Sequence, residues 1–445
     1  MPPSTIDRAL EAIGAGPFQY RLLAIFGLVW AADAMQVLAI GFAAPSLAAS
    51  FGLSIPQAIQ AGTAFFVGML LGAWGFGRLA DRLGRRRVLI VTVLIDAVFG
   101  LASVFAGDFT LLLLLRLLTG VGVGGTLPVD YAMMAEFLPP SRRGRWLVAL
   151  EGFWAVGTIL VALTAWAASA WAGPDAWRWL FAATALPALI GFGLRFWLPE
   201  SPHFLLDRGE ELAARAVLDR IARVNARPAV STPLQATAPA ARAGMGDLLA
   251  GGLRRRTAMI LLAWLLVSTA YYGVFIWLPG RLVTQGYGFV RGYGFLVLLA
   301  LAQLPGYALA AVGVESIGRR RTLIAFLIAS ALGCFLFVLT DAPTLIAASL
   351  LLMSFALLGT WGGLYAYTPE LYPTALRATG MGIAGAVARL GGLLAPSAVA
   401  LVVGADFALA IGLFAALLLV AAVAVARIEV ETKGRPLGEV AAETA

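Results

Sequence analysis

Three ionisable residues stand inside long apolar runs of this chain, where each needs a reason to be there. Asp33 lies in IFGLVWAADAMQVLAI, Arg116 in LLLLLRLLTG and Arg389 in AGAVARLGGLLAP. A charge at the centre of a lipid-crossing helix costs about 3 kcal/mol or more unless it is paired or wetted. An aspartate beside an arginine stays ionised; deprived of that partner in an apolar setting it takes up a proton, which is the chemistry of a proton switch. Arg389 has no acid in its own run. Its guanidinium forks onto a carboxylate or phosphate and does not lose its charge, so it invites an anionic ligand. Pairing with Glu151 or Asp96 from another helix is the alternative reading.

The elements that must position these groups follow from composition. Of 445 residues, 61% are hydrophobic and only 13% charged, with a mean hydropathy of +0.89. Soluble domains run nearer half apolar and a quarter charged, so a cytosolic enzyme and a disordered regulator are both excluded. The apolar runs are continuous rather than alternating, which argues for helices and against a barrel. At ~20 residues per crossing they read as twelve membrane helices: 20–44, 57–79, 88–107, 110–136, 145–169, 177–198, 257–279, 289–313, 322–340, 343–367, 377–402 and 406–427. No signal-peptide pattern precedes them, since Asp7 and Glu11 interrupt the N-terminal stretch.

Arg78, Arg82 and Arg85 to Arg87 crowd the turn after the second span, Arg142, Arg143 and Arg145 follow the fourth, and Arg319 to Arg321 follow the eighth. The opposite turns hold only Arg178, Arg281 and Arg291. The positive-inside rule therefore places both termini and the long middle loop in the cytoplasm, and gives the net charge of +8 a topological meaning rather than a nucleic-acid partner. The expected organisation is an N-terminal six-helix bundle (1–198), a cytoplasmic linker (199–256) with an amphipathic helix at Glu210 to Asn225, a C-terminal six-helix bundle (257–428) and a cytoplasmic tail (429–445). On this topology Asp33 lies about 18 Å from the inner face and Arg116 about 21 Å, so the two are expected to pair. Asp130, 14 residues past Arg116, shares its helix face.

The two halves repeat. GRLADRLGRRR carries Asp81 and Arg85 where VGVESIGRRR carries Glu315 and Arg319; AEFLPPSRRG carries Glu136 and Arg143 where PELYPTALRA carries Glu370 and Arg377. Both motifs keep one offset (315 − 81 = 370 − 136 = 234). Parallel repeats of this kind flank a central site exposed alternately to each side, which turns a membrane protein into a transporter. The eight charged residues are expected to form a cytoplasmic gate of exposed ion pairs, Glu136 with Arg143 and Glu370 with Arg377, weak enough at about 0–1 kcal/mol each to part and re-form.

These motifs resemble the major facilitator superfamily along essentially the whole chain: Gly77, Asp81, Arg82, Gly84, Arg85 and Arg86 in the first loop, and Arg116, Gly120, Gly122 and Gly124 in RLLTGVGVGG. The PESP run at Pro199 to Pro202 and ETKGR at Glu431 to Arg435 are similar to sugar-porter-related branches. GPFQYR and ARLGGLLAP are more similar to the organic-ion, nicotinate and synaptic-vesicle-glycoprotein branch. The resemblance implies the same latch role for the loop charges. It also implies proton coupling by a first-helix acid with the fourth-helix arginine, and substrate-anion binding by the arginine of ARxGG, here Arg389. It places Glu151 at the cavity border and Asp96 at the periphery.

Tyr272, Trp361 and Tyr365 are expected to wall the cavity together with Tyr131, their ring faces suiting a planar guest, whereas Trp277 and Tyr367 read as interfacial belt residues. The lone Cys334 permits no internal disulfide, and the lone His203, read as a loop residue, argues against a histidine relay or a zinc site. There is no nucleophile–base pair or metal cluster for an intramembrane enzyme, and nothing asks for a cofactor. The expected function is proton-coupled uptake of a small organic anion, aromatic or another carboxylate, by a monomer in the cell's inner membrane. A neutral-solute carrier such as a sugar porter, a drug or organic-cation exporter and a membrane receptor are the alternatives. Against the sugar, VSTAYYGVFIWLP lacks the paired glutamines expected of sugar-binding spans.

Overall fold

The computed structural model of the chain describes residues 5–188, 193, 197–229, 234, 245–277, 293–403 and 407–436. Among them every regular element is a helix. A short amphipathic helix, α1 (Ile6–Ile13), precedes α2 (Pro17–Phe51), α3 (Ile55–Leu83), α4 (Arg85–Ser103) and α5 (Phe109–Glu136). Next come α6 (Arg143–Glu151) and α7 (Phe153–Trp171), one rod interrupted at Gly152, and then α8 (Ala176–Ala188). The middle segment contributes α9 (Pro202–Asp207) and α10 (Glu211–Val224). The second half is α11 (Leu253–Tyr272), extended by a π-helical turn at Gly273–Trp277, then α12 (Tyr293–Ser316), α13 (Arg319–Val338), α14 (Pro343–Tyr367), α15 (Thr374–Val403) and α16 (Phe407–Ala426). Eight spans among the described residues are long and apolar enough to cross a membrane. Parts of the expected spans 177–198, 257–279, 289–313 and 406–427 fall outside the described residues, as do the side chain of Trp277 and most of the Pro/Ala/Thr-rich linker.

Helix ends are written locally. Ser54 accepts the backbone N–H of Gln57 while the Gln57 side chain accepts that of Ser54, opening α3 with a capping box. Asp108 caps α5, and Gly52 ends α2 in the left-handed conformation at φ 65°. Gly84 (φ 104°) and Gly318 (φ 102°) make matching turns before α4 and α13, which only glycine adopts without strain.

Packing sorts the helices into two groups. Helices α2, α3, α4, α5, α7 and α8 contact one another, as do α11 to α16, and the groups meet where α15 lies on α3 and α5 and where α12 lies on α6 and α7. Within the first group the α3–α5 seam has almost no side chains. A methyl on Gly120 would sit 2.1 Å from the Phe65 carbonyl oxygen and one on Gly124 2.1 Å from that of Met69; reciprocally, Gly68 and Gly72 face the carbonyls of Leu117 and Val121 at 2.0 and 2.1 Å. Two small-xxx-small faces let the backbones touch. Gly120→Ala is therefore expected to pry the seam apart and to destabilise the detergent-solubilised protein by about 1–3 kcal/mol; an unchanged melting temperature would contradict this packing.

Candidate functional site

Helices α6, α7, α11, α14 and α15 converge on one central cavity. Its lining is Glu151, Trp154, Tyr271, Tyr272, Leu358, Trp361, Tyr365 and Arg389, around some 260 Å³ of space free of atoms. Arg389 donates from Nη1 to the Tyr272 hydroxyl at 3.4 Å, and its Nε is buried without a partner. No ion pair engages it among the described residues, so neither Glu151 nor Asp96 closes on it. Gly392 makes room beside it: a methyl there would lie 2.7 Å from the Tyr272 ring.

Glu151 faces the same cavity and is held by phenols from both helix groups. Tyr131 Oη donates to its Oε2 at 2.6 Å and Tyr307 Oη to its Oε1 at 3.4 Å. Behind these stands a lattice of rings: Tyr131 on Tyr365 at 4.4 Å, Trp264 edge-on to Tyr365 at 4.8 Å and Trp30 edge-on to Tyr131 at 5.0 Å. Of the expected wall residues, Tyr272, Trp361, Tyr365 and Glu151 line the cavity, while Tyr131 supports Glu151 from behind. Sequence reasoning passed over Trp30, Trp154, Trp264 and Tyr307. Trp264 sits seven residues before Tyr271, and Trp30 three before Asp33, helical spacings that could have flagged both.

The expected Asp33–Arg116 pair is not formed. Arg116 donates to Gln36, to Oε1 at 2.7 Å and to the carbonyl at 3.1 Å, and its guanidinium is clamped between the rings of Phe65 and Phe181 at 4.6 and 4.5 Å. Gln36 in turn donates to Asp96 Oδ1 at 3.1 Å. Both Asp33 carboxylate oxygens are buried without a hydrogen-bond partner. Equal depth fixes height in the membrane but not direction around the helix, and Gln36, one turn further on, holds the fork. Asp96 is thus tied into this buried cluster. Asp130 is buried and accepts the Tyr131 N–H at 2.7 Å, and it does not line the cavity.

A second constellation closes the face that carries both ends of the described chain. Arg85 pairs with Asp81 at 3.0 Å and Glu136 at 3.4 Å, as Arg319 pairs with Glu315 and Glu370, both at 3.1 Å. Across the groups, Asp81 accepts the Thr379 N–H at 2.7 Å and Glu315 the Arg145 N–H at 2.9 Å, positions again 234 apart. Each acid thereby faces backbone N–H groups near the start of a helix in the other half, a favourable dipole contact. Glu200 caps the Arg85 N–H at 3.0 Å and Glu431 the Arg319 N–H at 2.9 Å; beside them, Ser201 donates to Glu136 and Thr432 to Glu370. PESP and ETKGR thus clasp equivalent turns.

Four expectations about this face are corrected. Glu136 pairs with Arg377 at 2.6 Å rather than with Arg143. Arg143 goes instead to Asp7 of α1 at 2.7 Å, and Glu370 to Arg319; the Arg143 and Arg377 forks are turned by carbonyls of their own loops, Ala135 and Pro369. Apart from Glu315, which keeps 20% exposure, the paired groups are also buried rather than exposed, with α1, α9 and the C-terminal segment in contact with them, so losing one partner costs about 3–5 kcal/mol. Tyr367 is buried, donating to the Val430 carbonyl, and is no belt residue. His203 lies on α9, not in a loop; burial pushes its imidazole below its ordinary pKa although Asp7 is near. Burial alone would push the Asp7 carboxyl up, but Arg143 and His203 hold it below its ordinary value.

Asp81→Asn keeps the shape but removes the charge that faces α15. It is expected to slow transport at least about tenfold, because it removes one of the two carboxylates paired with the buried Arg85 as well as the contact with α15, while leaving substrate affinity within about twofold. Equal loss of binding would mean that Asp81 supports the cavity rather than the closed face.

Two groups of membrane-length helices around a central cavity, with one face shut by duplicated ion-pair clusters, define a multi-pass membrane transporter of the major facilitator fold. The chain belongs to the sugar (and other) transporter family, whose sequence profile matches residues 53–443. It is 36% identical over 431 residues to the niacin transporter NiaP of Acinetobacter baylyi, covering 96% of this chain and 98% of that one. It is 30% identical to organic cation/carnitine transporter 7 of Arabidopsis thaliana, covering 97% and 95%. The proton:xylose symporter XylE, solved with 6-bromo-6-deoxy-D-glucose, superposes with a TM-score of 0.83 at 20% identity, covering 96% of this chain and 99% of that one. The protein moves a small organic substrate across a membrane; it is not an enzyme.

Proposed function

We propose that the protein is a proton-coupled importer of a small aromatic carboxylate, of the kind that the name of its Acinetobacter relative indicates. The observation that carries this reading is Arg389: a buried guanidinium in an aromatic-lined cavity with no carboxylate partner among the described residues. The cargo's carboxylate would take the fork and its ring the slot between Tyr272, Trp361 and Tyr365. Asp33, buried without partners, would carry the proton, with Arg116 biasing it through Gln36 and Asp96. In this reading twelve spans form two six-helix bundles (1–198 and 257–428), joined by the 199–256 linker and followed by the 429–445 tail, with both termini cytoplasmic, in a monomer of the inner membrane. The closed charged face is then the cytoplasmic gate, and rocking of the bundles alternates access.

A neutral sugar draws support from the family match, but the described cavity lining contains no Asn or Gln. A thermal-shift screen of purified protein against carboxylates, sugars and amines separates the readings, since a ligand stabilises the state it binds. Stabilisation by aromatic carboxylates alone supports the proposal; stabilisation by sugars alone overturns it.

A further inference from the structure

One feature of the cavity asks for more than an anion. Glu151 and Arg389 line the same small space without closing on each other, each held by phenols: Glu151 by Tyr131 and Tyr307, Arg389 by Tyr272. A guest bearing only a carboxylate would satisfy the guanidinium and bring a like charge towards Glu151 in a site of low dielectric, where repulsion is strong. A planar guest with a carboxylate at one end and a nitrogen at the other leaves neither group unanswered. The walls between the two charges are largely ring faces, which accept a flat heterocycle.

We infer that Glu151 is the specificity-determining residue of the cavity and that it reads a nitrogen on the cargo ring, the two sharing one proton. When the nitrogen carries that proton the carboxylate accepts it as an N–H donor; when Glu151 carries it, the carboxyl donates to the ring nitrogen. No bond other than this hydrogen bond forms or breaks. Tyr131 and Tyr307 fix the carboxyl from opposite helix groups, so its direction is set before the cargo arrives. The substrate class is therefore a flat aromatic acid with a basic ring nitrogen, and an otherwise identical acid without the nitrogen is a poor ligand. A guest without the nitrogen offers Glu151 nothing beyond its bonds from Tyr131 and Tyr307 and loses the added hydrogen bond that a built polar site rewards.

This inference rests on the carboxylate reading of Arg389, and the test separates the two. Isothermal titration of the full chain in detergent uses nicotinate and benzoate, which differ only in the ring nitrogen. The wild type is expected to bind nicotinate at least tenfold more tightly, and Glu151→Leu to bring the two within about twofold. The wild-type comparison stands even if that variant fails to fold. Equal affinities in the wild type, or a preference that survives Glu151→Leu, would overturn the role of Glu151 while leaving the carboxylate reading intact. Failure of both probes to bind the wild type would overturn both.

Discussion

Arg389→Ala is expected to weaken binding of an aromatic carboxylate by at least 100-fold, with the protein still folded. Removing one partner of a buried, hydrogen-bonded charge pair costs about 2–5 kcal/mol, and every 1.4 kcal/mol is roughly tenfold in affinity. The fold tolerates the loss, because no ion pair engages Arg389 among the described residues and the hydrogen bonds lost are with phenols, Tyr272 at 3.4 Å and Tyr365. Arg389→Lys keeps the charge but not the planar fork, and its expected loss is smaller, about tenfold. Titration of the two variants beside the wild type, with melting temperatures recorded in parallel, checks the result. An alanine variant within threefold of the wild type would show that the cargo's charge is met elsewhere.

Asp33→Asn is expected to abolish accumulation driven by a pH gradient while sparing exchange of internal for external substrate. The reason lies in the surroundings of that carboxyl: both oxygens are buried without hydrogen-bond partners, and Arg116, the arginine expected to pair with it, is held by Gln36 and two rings. An isolated ionised carboxylate in such a place is costly, so a proton there is gained or lost as the bundles change their arrangement. Asparagine has the same shape and no exchangeable charge. Proteoliposomes measured with and without an imposed gradient, and then in counterflow, separate the two activities. Equal loss of both would assign Asp33 to architecture rather than to coupling.

The elements of the fold were legible because hydropathy and the 234-residue repeat are properties of the chain itself. Arg389 was legible for the same reason: an arginine without an acid in its own apolar run is visible before any folding. Partners were not legible. Whether Glu136 meets Arg143, further along the same chain segment, or Arg377 in the other half depends on how two bundles press together, and the bundles chose Arg377. Arg116 shows the same limit on a smaller scale, since depth along a helix was readable and rotation about it was not. Tyr367 looked interfacial because it ends a helix, yet the C-terminal segment folds over it. The weak, exposed latch became a buried one because α1 and α9, short pieces with no membrane-length signal, cover it.

The segments outside the membrane-length helices consequently hold the closed face. Asp7 anchors one arginine of the closed face, while Glu431 and Thr432 grip the turn at Gly318 and the buried Glu370. A truncation that stops at the last apolar helix, or a reporter fused directly ahead of α1, would alter the timing of the transport cycle while leaving the cavity intact. Such altered proteins would bind their cargo normally and carry it badly.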